Sequence, residues 1–182
     1  MGREAKRKKA AAPELRLDFG CGPHPREGFE GVDVLDFGQK HVVDLRKRWP
    51  WKDGSVAEAH TSHFLEHLTA AERIHFVNEL YRVLAPGAKC QVIVPHWGSA
   101  RAYGDLTHQW PPVSEFWFYY LDRDWRAANA PHNDGYTCNF KITWSYALHP
   151  ALSGRNQEFQ ANAVQWYKEA IQDIMATFVK ET

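Results

Sequence analysis

Cysteine is scarce in this chain. Cys21, Cys90 and Cys138 are the only three in 182 residues, and they lie far apart. They form neither a CxxC metal pair nor a disulfide framework, and they point to a reducing, cytoplasmic setting. Long apolar runs are missing too. None approaches the ~18 residues of a membrane-crossing helix, and the basic N-terminus lacks the apolar stretch of a secretory signal. Net charge is absent: Lys+Arg and Asp+Glu both total 22, so no overall field draws a polyanion. Ten histidines are present, yet no HExxH or paired-cysteine spacing occurs, and no metal site is expected. His60, His63 and His67 fall where a strand gives way to a loop and need not share a face.

What charge there is sits unevenly. MGREAKRKKAAAPELR, residues 1–16, carries six basic and two acidic side chains. Residues 1–14 read as a solvated arm, with a tether to nucleic acid or an acidic surface as the alternative. Residues 15–182 read as one domain, long enough to bury a single core. Aromatic residues concentrate in the middle of the chain, where Trp97, Trp110, Trp117 and Trp125 fall within 29 residues.

Apolar runs punctuated by turn residues predict strands at 15–19, 29–35, 40–45, 56–65 and 89–97. The last has a nearly unbroken apolar centre, which suits a parallel strand covered on both faces. Thr69 with Glu72 forms a capping box ahead of AAERIHFVNELYRVL, whose apolar residues recur at helical spacing until Pro86-Gly87. Residues 136–150 read as one long strand or a hairpin. Phe159, Ala163, Trp166, Ala170, Ile174 and Phe178 predict a closing helix over about 156–179, and an exposed apolar stripe on it would suggest a homodimer. The alternation of elements argues for a mostly parallel α/β sheet flanked by helices. In such sheets ligands sit beyond the carboxyl ends of the strands. Gly20, Asp33, Asp44, Ser62 and Pro95 all fall there.

LRLDFGCGPHP, residues 15–25, places two glycines directly after a strand. Glycines let backbone approach a ligand closely, and Asp18 beside them could receive a ligand ammonium. Asp33 ends the next strand, where a carboxylate grips ribose hydroxyls. Asp44 ends the one after, where an adenine amino group could be read. A dinucleotide site uses similar logic but wants a third glycine, and Pro25 stands in that place. Only about eight residues separate the first two strands, against the dozen or more of a helical crossover, and Pro23 and Pro25 break any helix there. A ligand with a ribose and a zwitterionic tail but no phosphate fits better. S-adenosyl-L-methionine (SAM) is such a ligand.

The run LDFGCGP…GVDV…VVDL…WPWKDGSVAEAHTSHFLEHL…NELYRVLAPGAKCQVIVPH resembles the class I SAM-dependent methyltransferases. More narrowly it resembles small bacterial methyltransferase-domain proteins with a shortened glycine loop, over residues 15–110. The resemblance implies a single-domain Rossmann-like sheet, with Asp18, Gly20, Cys21 and Gly22 cradling the methionine part of SAM. It puts Asp33 and Val34 at the ribose, Asp44 and Leu45 at adenine, and Ser62 and His63 beneath the sulfonium. Glu66 and His67 fall beside the pocket. Pro23 and His24 replace the flexible residues usual after the glycine pair, and Ala88 replaces the second glycine of a P-G-G.

GDLTHQWPP, residues 104–112, resembles a D-P-T-H segment of some of these proteins, with Leu106 in place of proline. It puts Asp105, Thr107 and His108 on the open side of the sulfonium. An acceptor N–H or O–H must lose a proton, which suits a histidine; His108 is the first choice and His67 the second. Trp97, Tyr103 and Trp110 are candidate walls of an acceptor pocket, with a lid or core cluster as the plainer reading. No D/N-P-P-Y/F and no Pro-Cys follows the fourth strand, which argues against DNA-base acceptors. The expected activity is methyl transfer from SAM to N or O of a small molecule. The alternative is a SAM-fold binding module with weak catalysis that works through protein or nucleic-acid contacts.

Overall fold

The computed structural model describes residues 14–181, so the basic arm lies outside the described residues apart from Glu14. The strands are β1 (Leu15–Phe19), β2 (Glu30–Asp33), β3 (His41–Val42), β4 (Val56–Ser62), β5 (Leu84–Pro95), β6 (Phe140–Leu148) and β7 (Ile171–Lys180). They form one sheet in the order β3-β2-β1-β4-β5-β7-β6. All pairings from β3 across to β5 are parallel, and β7 runs antiparallel between β5 and β6. The helices are α1 (Ala70–Val83), α2 (Arg101–Gly104), α3 (Glu115–Tyr119), α4 (Arg123–Asn129) and α5 (Gln157–Trp166), with a 3-10 turn at Leu65–His67. Among the described residues no helix is long and apolar enough to cross a membrane.

The α1 helix starts where its capping box says it should. Thr69 Oγ1 accepts from Glu72 N, and the Glu72 carboxylate accepts from Thr69 N at 2.8 Å. Its Phe76, Val77, Leu80 and Val83 are fully buried against Leu17, Phe19, Ala59, Cys90 and Val92 of the sheet. Phe19 packs on Trp49 at 4.5 Å and on Phe76 at 5.8 Å. Burying one such side chain contributes about 1.5–3 kcal/mol, so this layer anchors the strands that end at the site.

The opposite face of β1, β4 and β5 is polar. Asp18, His60 and Gln91 form one row across the three strands, and Arg16, Glu58 and Lys89 the next. Glu58 pairs with Arg16 at 2.7 Å and with Lys89 at 3.4 Å. The loop after β1 lies over these rows, with Phe29 stacked under the Arg16 guanidinium at 4.2 Å. The expectation of apolar cover on both faces of β5 is thus corrected. Cys90, Val92 and Val94 are buried, while Lys89 and Gln91 alternate to the polar face. β5 also begins directly at Leu84, so Pro86-Gly87 lies inside its first residues.

The closing helix is a second correction. α5 stops at Trp166, and 171–180 is β7. Ile174 and Phe178 stand four apart, which suits a helix, but Ile174, Ala176 and Phe178 also recur every second residue. All three are buried. The slot between β5 and β6 selects the period of two, a case of tertiary packing overriding an ambiguous pattern.

Candidate functional site

Because β1, β2, β4 and β5 run parallel, their carboxyl ends share one edge. Gly20, Asp33, Ser62 and Pro95 stand there as expected, with Asp44 two residues beyond β3. Gly20 N and Cys21 N both donate to Val32 O, at 2.8 and 3.2 Å, which folds the glycine turn against the end of β2. Gly20 has φ +67° and Gly22 φ +54°. A Cβ on Gly20 would lie 2.3 Å from the Phe64 ring, whereas a Cβ on Gly22 would meet nothing within 4 Å. One glycine therefore packs against the protein and the other borders open space. Gly22 N donates to Asp33 Oδ2 at 3.0 Å, and Leu35 N donates to Asp33 Oδ1 at 3.1 Å. Those bonds fix the Asp33 carboxylate at the edge.

Asp18 departs from expectation. It is buried, and its two oxygens accept from His60 Nδ1 at 2.7 Å and from Arg26 N at 2.8 Å. Instead of offering a carboxylate to a ligand ammonium, it ties the returning loop to β4. The Cys21 thiol likewise turns inward, and burial, helped by Asp18 and Asp33, pushes it up to about 11. What Cys21 can present to a ligand is backbone.

A cavity of about 170 Å³ opens beside this turn, lined by Asp33, Val34, Asp44, Leu45, Phe64 and His67 among others. It brings together four residues singled out from sequence for a nucleoside: Asp33, Val34, Asp44 and Leu45. Arg46 was not foreseen. Its guanidinium forks onto Asp44 at 2.8 and 3.1 Å and holds that carboxyl at about 2. Ser62 closes β4, and His63 follows with φ +51°, its N–H donating to Ile93 O at 2.9 Å. His63 Nδ1 lies 3.2 Å from Glu66 Oε1 and Nε2 lies 4.0 Å from Asp173 Oδ1. The Glu66 carboxylate raises the His63 pKa above the ordinary histidine value. Asp173 lies in a segment whose sequence reads as helix; in β7 it reaches the same edge and pairs with Arg101 at 2.7 Å.

Residues 105–111 are strapped over the 3-10 turn. Gln109 N donates to Glu66 O at 2.7 Å. Arg73, buried on α1, donates to Leu65 O at 2.9 Å, Gln109 O at 3.0 Å, Glu66 O at 3.4 Å and Pro111 O. Burial lowers the Arg73 pKa from its ordinary value. Sequence periodicity placed Arg73 on a helix but gave no sign that it faces inward to carbonyls. Arg73→Lys keeps the charge but lacks the planar fork. Losing hydrogen bonds from a buried charged group should cost about 1–3 kcal/mol, read as a lower midpoint in thermal unfolding. An unchanged midpoint would remove Arg73 as the clamp.

The strap sets His67 and His108 edge to face, with ring centroids 4.7 Å apart. His67 Nδ1 bonds Thr107 Oγ1 at 2.9 Å, and Thr107 Oγ1 donates to Asp105 Oδ1 at 2.7 Å. His108 Nδ1 bonds Ala102 O at 3.1 Å. Asp105 Oδ1 accepts from both Thr107 N and Thr107 Oγ1, which fixes this exposed carboxylate on the strap.

Past the strap an open cavity of about 480 Å³ is walled by Trp97, Tyr103, Trp110, Phe116 and Glu115. The three aromatic residues expected at an acceptor pocket thus converge. An adjoining cavity of about 490 Å³ shares Trp97 and Tyr103 and is bounded by Trp166 and Tyr167. Glu115 accepts from Tyr146 OH at 2.9 Å, and the nearby His96 holds its carboxyl at about 2. The aromatic walls therefore carry one firmly ionised carboxylate.

No family model matches this sequence, and no curated protein does. Solved structures do match by shape. A SAM-dependent methyltransferase from Archaeoglobus fulgidus superposes with a TM-score of 0.67 at 18% identity, over 92% of this chain and 86% of that one. A second, from Methanosarcina mazei, gives 0.58 at 15% identity over 93% of each chain. A geranyl diphosphate methyltransferase in complex with SAM gives 0.56 at 15% identity, over 93% of this chain and 79% of that one. The chain has the class I SAM-dependent methyltransferase fold.

Proposed function

We propose that this protein binds SAM along the glycine edge and transfers its methyl group to a nitrogen or oxygen of a small molecule. One observation carries this reading. The Gly20–Gly22 turn, fixed by Asp33, opens beside a cavity lined by Asp33, Val34, Asp44 and Leu45. The adenine enters that cavity, and Asp33 accepts from the ribose hydroxyls on lone pairs left over from Gly22 and Leu35. The methionine part runs over the open side of Gly22 toward Ser62 and His63. Trp97, Tyr103 and Trp110 hold the acceptor, and an aromatic wall with an ionised Glu115 suits a flat or amine-bearing molecule.

Transfer needs the acceptor lone pair aligned about 3–3.5 Å from the methyl carbon. A new bond forms from that lone pair to the methyl carbon, the C–S bond breaks, and its electrons go to sulfur. The products are S-adenosylhomocysteine, the methylated acceptor and a proton. That proton is released beside Glu66, His67 and His108, with His108 foremost. Its Nδ1 is held by Ala102 O, which leaves Nε2 as the ring's free lone pair.

Calorimetry with SAM, S-adenosylhomocysteine and NAD tests the reading. The first two should bind and NAD should not. Asp33→Ala removes the charged acceptor of two hydroxyls. Hydrogen bonds to charged groups contribute about 1.5–3 kcal/mol, so affinity should fall roughly ten- to a hundredfold. A folded wild type that ignores S-adenosylhomocysteine would overturn the function, and a folded Asp33→Ala with full affinity would take Asp33 out of the site.

A further inference from the structure

We propose that Glu66, His67 and His108 bind one divalent first-row transition-metal ion where methyl donor and acceptor meet. The role given to the ion rests on the methyl-transfer reading; the site itself does not. One ligand atom from each of the three residues lies within 4.8 Å of the others. Spacing in sequence hides this set, because His108 comes from a different loop, brought over Glu66 by Arg73 and Gln109 N.

A second observation points to a ligand. Glu66 is only 4% exposed, yet neither carboxylate oxygen has a hydrogen-bond partner. Its Oε1 stands 3.2 Å from His63 Nδ1 without meeting hydrogen-bond geometry. Buried carboxylates are normally paired and hydrogen-bonded or coordinate a metal.

The histidine tautomers agree. A backbone carbonyl can only accept, so the His108 Nδ1 bonded to Ala102 O carries the proton. Thr107 Oγ1 gives its own proton to Asp105, so the hydroxyl accepts from His67 Nδ1. Both rings therefore keep an unprotonated Nε2 when neutral. A ring N–H tied to a carbonyl or to a carboxylate relay is the usual support behind a metal-binding histidine. Two imidazole nitrogens and one carboxylate suit zinc, iron, cobalt or manganese; magnesium and calcium prefer all-oxygen sets. Three protein ligands leave coordination positions open.

The place suits the chemistry. His67 also lines the nucleoside cavity, and Trp110, two residues past His108, lines the acceptor cavity. With the ion bound, His108 Nε2 is a ligand and no longer the base, and an acceptor O–H or N–H held by the ion gives its proton to water more readily. The freed lone pair then takes the methyl group as written above, and the ion keeps its oxidation state.

The test is titration of the metal-free full-length chain with Co²⁺, followed by visible absorption. One equivalent should bind, and excess Mg²⁺ should not displace it. His108→Ala and Glu66→Gln should abolish the signal, and Thr107→Val should weaken binding by roughly 10–100-fold. Circular dichroism checks the fold of each variant. No binding at millimolar Co²⁺, full displacement by Mg²⁺, or wild-type affinity in both folded His108→Ala and folded Glu66→Gln would overturn the site. Calorimetry with S-adenosylhomocysteine on the same samples separates the two readings. Cofactor binding without Co²⁺ binding sinks the metal site alone, and Co²⁺ binding without cofactor binding sinks the methyl-transfer reading alone.

Discussion

His108→Ala should lower kcat by about 10²–10⁴-fold and leave the affinity for S-adenosylhomocysteine nearly intact. That range is the usual contribution of a positioned group that removes a proton in the transition state. The affinity should survive because His108 does not line the nucleoside cavity, whereas His67 does. His67→Ala should therefore weaken both turnover and cofactor binding, and the contrast between the two variants is diagnostic. The rival is a pocket-wall histidine, whose loss raises the acceptor KM and spares kcat. The measurement needs the best acceptor from a panel of amines, phenols and alcohols, with kcat and KM separated. A folded His108→Ala with wild-type kcat would remove it from the chemistry, whether as base or as metal ligand.

The half of the candidate site proposed for the nucleoside is legible in sequence because it is local. Gly20, Gly22, Asp33 and Asp44 sit at or just beyond ends of successive parallel strands, and parallel strands bring such ends to one edge by geometry alone. The half proposed for the acceptor is legible in its aromatic walls, Trp97, Tyr103 and Trp110, but the long-range contacts that assemble it are not. Arg73 reaches Gln109 and Pro111 across more than 30 residues, and Asp173 arrives on the last strand. Asp173 was hidden by an ambiguous period: Ile174, Ala176 and Phe178 can be read at two, and Ile174 with Phe178 at four. The polar face of the sheet is visible in the sequence. LRLDF, VAEAH and KCQV each alternate apolar and polar residues, and that alternation marks a sheet whose second face does not need an apolar cover.

Asp18 shows a different limit. Its position beside the glycines is right for a ligand contact, but position does not say which way a carboxylate turns. With His60 on the neighbouring strand, its hydrogen bond forms inside the protein. The acid then fixes the loop that follows the glycine turn.

Gly20→Val should destabilise the fold by about 2–5 kcal/mol and abolish S-adenosylhomocysteine binding. Two independent costs add. At φ +67° a residue with a Cβ pays about 1–2 kcal/mol for the left-handed region. The new Cβ would also lie 2.3 Å from the Phe64 ring, and forcing extra carbons into a packed position costs about 1–3 kcal/mol. Phe64 has little room to yield, since it packs on Phe76 at 5.7 Å. Phe64 also lines the cavity proposed for adenine, so a retreat into it fills that space. Gly22→Ala is the discriminating partner. At φ +54° it bears the same backbone strain, but its Cβ meets nothing within 4 Å. It should lose only about 1–2 kcal/mol of stability, and its methyl group would stand where the methionine part of SAM is placed. Thermal unfolding and calorimetry on both variants separate the effects. A Gly20→Val protein with wild-type midpoint and affinity would return the glycine pair to an ordinary turn. Full cofactor affinity in Gly22→Ala would move the methionine part off the open side of the turn.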